Sequence, residues 1–323
     1  SSDLEDGLKQ LPVCSGELKK LFSSSADIIF RSALIGGNPA LPVTLVFVDG
    51  LADQKVIDDN IMMPLAQSPR FASCTSMADA YKISLNGALE LSGIKPTGDM
   101  PEAIAALLSG KTLICFDKLQ SALLLDTIHF EKRSVTSPQE ESSYRTSKDS
   151  FVETLRVNTS MLRRKVKSVN LVMEEFTAGR QSNSRISVAY MRNICSESLI
   201  RQVRQRINGI NQDRVTSLQD IVTNVFRQKY AMFPLALITE KPEACVKQLL
   251  DGKVVVLLDE MPYAIILPAV FGDFFLSSSD YSGNFIFATL FRLLRYACFL
   301  LAVVLPGFYI SVVTFHPEMI PYE

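Results

Sequence analysis

The chain is 323 residues long and 47% hydrophobic, which is material for two cores of ordinary size. Its six cysteines (Cys14, Cys74, Cys115, Cys195, Cys245, Cys298) have no CxxC and no paired spacing, which fits small buried hydrophobes in a reducing compartment. The net charge of −1 conceals an asymmetry: residues 1–130 hold 10 Lys+Arg against 15 Asp+Glu, whereas residues 151–323 hold 19 against 15. Such halves could attract each other, the basic one could sit near anionic lipid, or both could be ordinary solvated surfaces.

The first thirty residues lack the basic start and apolar core of a secretory signal, and with no opening methionine the sequence reads as a trimmed fragment. Within 1–130, residues 16–23 predict a short amphipathic helix and 27–34 a strand. Gly36-Gly37-Asn38-Pro39 supplies turn chemistry, and 43–49 the returning strand. Asp53 suits an N-cap for a helix over 54–66, which Pro64 should end early. Pro101 opens a further helix, Gly110 closes it, and strands over 111–117 and 121–127 follow.

Residues 131–150, EKRSVTSPQEESSYRTSKDS, carry almost no apolar side chain and read as a solvated linker. Residues 151–275 then repeat the first half, with a basic helix at 197–208, Pro242, Gly252, and strands over 253–259 and 262–267. AIAALLSGKTLICFD (103–117) faces CVKQLLDGKVVVLLD (245–259) at an offset of 142. ADIIFRSALIGG (26–37) faces VNLVMEEFTAGR (169–180), and TLVFVDGLAD (44–53) faces SVAYMRNICS (187–196), both at 143. Three blocks in one order read as a tandem duplication. The fold class expected is α+β (mixed α/β): two duplicated subdomains with mixed or antiparallel sheets and helices packed on one face.

Seven aromatics fall within 271–291 (Phe271, Phe274, Phe275, Tyr281, Phe285, Phe287, Phe291). They read as an interfacial collar continuing over 276–295, although Phe274 and Phe275 could instead complete the second core. Residues 296–315, YACFLLAVVLPGFYISVVTF, are uncharged for twenty positions after Arg292 and Arg295. A helix of that length spans roughly 30 Å, the thickness of a bilayer's hydrocarbon core. Two arginines on its N-terminal flank place the preceding head in the cytoplasm. Pro306 should kink the span, and kinks are tolerated where neighbouring helices repair the lost bond, so further membrane helices are expected around it.

Signals for chemistry are weak. Ser109-Gly110-Lys111-Thr112 resembles the end of a phosphate loop but has Ala105 where that motif needs glycine, and it sits in helix-then-strand order. His129 and His316 are far apart and have no cysteine cluster near them, so neither a zinc site nor a nucleophile–base pair is in view. Asp117 and Asp259 occupy matching positions and are read as hairpin residues. The cations Arg163, Arg164, Lys165, Lys167 and Arg201, Arg204, Arg206 are read as solvated helix faces, with an interface to protein or anionic lipid as the other option; no aromatics interleave them as nucleic-acid stacking requires. No catalytic, cofactor-binding or metal residue is assigned, and no ligand-binding residue is named.

FVETLRVNTSMLRRKV (151–166), LVMEEFTAGRQSNSRISVAYM (171–191), LLDGKVVVLLDEMPYAIILPAVFGDFF (249–275) and above all FLLAVVLPGFYISVVTFHPEMIP (299–321) resemble the A-subunit family of GerA-type spore germination receptors, with the related SpoVAF-type proteins. The resemblance implies a two-part soluble head followed by several membrane helices, in the inner membrane of the spore. It further implies assembly with a transporter-like B subunit and a lipoprotein C subunit, oligomerisation around an ion path, and no enzymatic activity. The family's Gly-Pro-Arg-like stretch is replaced here by Arg145-Thr146-Ser147-Lys148. Arg292, Arg295 and Pro306 are the residues expected to couple head to membrane. A small-molecule sensor with its cleft between the halves is the rival reading.

Overall fold

The computed structural model describes residues 7–8, 11–72, 74–89, 91, 93–128, 149–210, 221–222, 234–275 and 285–315. The expected linker lies outside these except for residues 149–150, as do His129, His316, Tyr281 and the 276–284 part of the collar. The chain divides into two units, Ser1–Ser134 with Asp149–Pro268, and Val135–Lys148 with Ala269–Glu323.

The first unit contains two five-stranded sheets. Helix α1 (Ser15–Leu21) leads into β1 (Ile28–Leu34) and β2 (Pro42–Val48). The turn between these strands needs Gly36 and Gly37 at φ of 58° and 70°, which side chains with a Cβ rarely adopt. Four short helices follow: α2 (Gln54–Ile57), α3 (Met63–Gln67), α4 (Pro69–Ala72) and α5 (Met77–Ile83). Asp53 caps α2 as expected, its side chain accepting from the N–H groups of Lys55 and Val56. Pro64 does not end the helix where expected. The turn over Asp58–Met62 widens to a π-helix, and Pro64 opens the next α segment, where its missing N–H costs little. Strand β3 (Ile94–Thr97), helix α6 (Met100–Leu108), β4 (Thr112–Phe116) and β5 (Ser121–Leu125) complete the first sheet.

The second sheet is built from α7 (Leu155–Lys165), β6 (Leu171–Ala178), β7 (Ser184–Met191), α8 (Glu197–Asn208), β8 (Leu237–Thr239), α9 (Pro242–Leu250), β9 (Val254–Leu258) and β10 (Ala264–Leu267). Strand orders correspond, β1-β2-β4-β5-β3 in one sheet and β6-β7-β9-β10-β8 in the other. All pairings are antiparallel.

Helices cover both faces of each sheet, not one. Ile114, Phe116, Leu123 and Leu125 meet Ile57, Ile61, Leu65 and Phe71 on one side of the first sheet. Leu113, Cys115 and Leu124 meet Leu18, Phe22, Ile104 and Leu107 on the other. In the second sheet Val254, Val256 and Leu258 face α8, and Val255 and Leu257 face α7 and α9. This explains why the central strands read as unbroken apolar runs without alternation: every position of β4 and β9 is buried. Each such side chain contributes roughly 1.5–3 kcal/mol when removed from water.

In the second unit, α10 (Phe285–Phe315) runs unbroken for 31 residues with Pro306 inside it. Thr289–Phe315 is long and apolar enough to cross a membrane, with a mean hydropathy of 2.3.

Candidate functional site

The two sheets of the first unit are joined by a polar seam. Asp27, just before β1, is 3% exposed, and Arg163 on α7 is fully buried. The guanidinium grips the carboxylate with both teeth of its fork: Nε donates to Oδ2 at 2.8 Å and Nη2 to Oδ1 at 3.0 Å. Its third nitrogen, Nη1, donates to the Ser168 carbonyl at 3.1 Å, so each nitrogen of the buried cation has a partner. Beside the pair, the Ala26 N–H donates to the Met173 carbonyl at 2.8 Å and the Ser25 hydroxyl to that of Leu171 at 3.4 Å. Arg163 therefore does not belong to a solvated face. Its helix turns Leu155, Asn158, Thr159, Leu162 and Arg163 inward, and only Arg164 and Lys165 remain outside.

A second cation, Arg156, closes the other end of the seam. Its Nε lies 3.0 Å from Asp49 of the first half and its Nη1 2.7 Å from Glu175 of the second, the latter contact lying off hydrogen-bond alignment. Between them Gly50 sits at a φ of +80°, where an added Cβ would meet the Ser160 Cβ at 3.0 Å and the Arg156 carbonyl at 3.1 Å. The opposite charges of the two halves thus meet in specific pairs. Next to this contact lies a cavity of about 540 Å³ whose lining includes Asp49, Asp53, Gln54, Arg156, Ser160 and Arg164.

Asp117 and Asp259 act beyond their own hairpins. Asp117 accepts from the Ser15 N–H and hydroxyl, both at 2.7 Å, and so caps α1 from across the sheet. Asp259 accepts from the Leu155 N–H at 3.1 Å at the start of α7, and from Arg185 Nη2 at 2.9 Å. The residues preceding those helices, Cys14 and Thr154, make no side-chain cap themselves. Each carboxylate also lies at the positive end of a helix dipole.

The SGKT string and its counterpart end helices. Gly110 donates to Leu107 and Lys111 to Ala106, as Gly252 does to Leu249 and Lys253 to Gln248, the two bonds of a Schellman motif. Both glycines have positive φ and crowd a carbonyl, Gly110 that of Leu51 and Gly252 that of Ile194, each 3.1 Å from where a Cβ would sit. Burial pushes the Cys115 thiol up to about 12 and raises that of Cys245 as well, so both remain protonated and inert. Burial, and then its hydrogen bond to Glu174, raises the Tyr190 phenol. Among the described residues no cluster of His, Cys, Asp and Glu could hold a metal ion.

The structure brings two of the three expected coupling residues together. Arg292 and Arg295 lie three residues apart on α10, while Pro306 stands 11 residues beyond Arg295, about 17 Å along the axis. Arg295 Nη1 donates to the Phe275 carbonyl at 2.7 Å. Arg292 Nε is shielded and has no hydrogen-bond partner among the described residues.

The sequence approach missed the seam because its two halves come from positions 136 residues apart. The helical period of α7, with Leu155, Leu162 and Val166 as anchors, was the available signal for Arg163.

Among solved structures, the N-terminal domain of the A subunit of the Bacillus megaterium spore germinant receptor GerK3 shares this fold, with a TM-score of 0.61 at 21% identity over 81% of this chain and 97% of that one. Spore germination protein KA of Bacillus subtilis is 32% identical over 95% of this chain and 56% of its own length. Spore germination protein B1 of the same organism is 30% identical over 99% of this chain and 64% of its own. The chain thus spans less than two thirds of the length of both relatives. The family model described as Bacillus/Clostridium GerA spore germination protein matches residues 16–323, and the chain belongs to that family.

Proposed function

We propose that the chain is the soluble head and first membrane helix of a germinant-receptor A subunit, passing a nutrient signal to an ion-conducting membrane assembly without catalysing a reaction. Its partners are a transporter-like B subunit, a lipoprotein C subunit and further copies of itself, in the inner membrane of the spore with the head on the cytoplasmic side. The carrying observation is the 27-residue stretch Thr289–Phe315 of α10, strongly apolar on average and with none of its most apolar window buried, in a chain of the germination family. The matching strand orders of the two sheets support a tandem duplication as the origin of the head.

Arg292 and Arg295 carry the only charges on α10, so they are the natural handles between head and bundle. Spores in which both are reversed to glutamate should hold normal protein levels yet lose most of their nutrient response. Full germination in such spores would refute the coupling role.

The cavity beside Gly50 favours a second reading, in which the head itself senses a small solute. Carboxylates (Asp49, Asp53) and guanidinium groups (Arg156, Arg164) line about 540 Å³, which suits a zwitterionic or hydroxylated molecule. Calorimetry of the purified chain against amino acids and sugars should give saturable heats, and silence across a wide panel would remove this reading. An accessory role of the SpoVAF type would be separated from a receptor role by neighbouring genes encoding B and C subunits.

A further inference from the structure

One face of α10 carries Arg292, Arg295, Tyr296 and Phe299, at spacings of three, four and seven residues. The short turn Phe271–Phe275 is clasped to that face. Phe275 stacks on Tyr296 with ring centroids 4.4 Å apart, and Phe271 meets Phe299 edge-on at 5.5 Å. Arg295 Nη1 donates to the turn's last carbonyl and so holds the clasp. Val270, Phe271 and Phe274 nevertheless leave 53%, 48% and 42% of their surface uncovered. Such apolar side chains beside the start of a membrane span suit the boundary between headgroups and acyl chains.

Arg292 lies one turn nearer the start of the helix, about 6 Å from the level of Tyr296. Its neighbours Leu290, Phe291, Leu293 and Leu294 are all exposed and apolar. Arg292 itself is only half-buried, and its Nε has no hydrogen-bond partner among the described residues. A charged donor without a partner is costly in an apolar setting, and an anionic group at the bilayer surface would satisfy it. When 296–315 fills the hydrocarbon core, Arg292 stands at headgroup depth, where a phosphodiester matches the guanidinium fork in both charge and geometry.

We infer that Arg292, on the face that carries the aromatic clasp, binds the phosphate of an anionic phospholipid. The inference rests on the membrane placement of α10 proposed above and adds a specific ligand to it. The test is native mass spectrometry of the full chain in neutral detergent, doped at equal mole fraction with phosphatidylglycerol or phosphatidylcholine. Phosphatidylglycerol should be retained in preference, and Arg292→Gln should weaken that retention about tenfold. Arg292→Lys should fall between the two, because it keeps the charge and loses the fork. Circular dichroism in the same detergent checks that each variant keeps its helix content. Equal retention by Arg292→Gln and the unmodified chain would overturn the site, as would equal retention of the two lipids. Inorganic phosphate binding as tightly as phosphatidylglycerol would show a free-anion site instead. If a variant fails to fold, the unmodified chain's choice among the two lipids and phosphate still decides. Spores with Arg292→Gln that lose lipid retention but germinate fully would remove the signalling role and leave the lipid site standing.

Discussion

At the residue scale, the Asp27–Arg163 pair matters most, since both partners are removed from water and mutually satisfied. Such pairs gain little net energy over apolar residues of similar volume, but breaking one strands a charge. Arg163→Met should therefore cost about 3–5 kcal/mol and lower the thermal midpoint by roughly 10 °C, while adding Asp27→Leu should restore most of the loss. Thermal melts followed by circular dichroism will show this, and a single-variant shift below about 2 °C would contradict a stranded charge. The sequence made Arg163 look like one of four cations within five residues. Its place on the inward face follows from the period of α7, but its partner follows from nothing local, because Asp27 sits in the other half.

At the scale of elements, the central strands were legible because apolar runs of five residues bounded by helix-stopping glycines have few other uses. Strands β3 and β8 were not legible. Each is only four or three residues long, and β3 contains Pro96, whose missing donor is tolerated at a sheet edge. The matching aspartates of the two hairpins were visible, but their long-range capping role was not, since it depends on where α1 and α7 begin in space. Asp117→Ala and Asp259→Ala should each destabilise by about 1 kcal/mol. Asp259 should cost the more because Arg185 also loses its partner. Asp117→Asn should cost less than Asp117→Ala, its amide oxygen still accepting from the Ser15 N–H; equal losses would argue against the cap.

At the scale of the whole molecule, the sequence pattern correctly indicated mixed α/β halves and one long apolar helix, and it placed the covering helices on one face where the structure puts them on both. The error came from taking the amphipathic helices as a single layer, when strands buried at every position already required two. The seam has a genetic corollary. Asp27 and Arg163 belong to opposite halves, and a methyl group at Gly50 would crowd the Ser160 Cβ and the Arg156 carbonyl of α7. A break anywhere between the sheets would hand one fragment an orphan anion and the other an orphan cation. Neither piece would be a viable product by itself, whatever sequence tethers them.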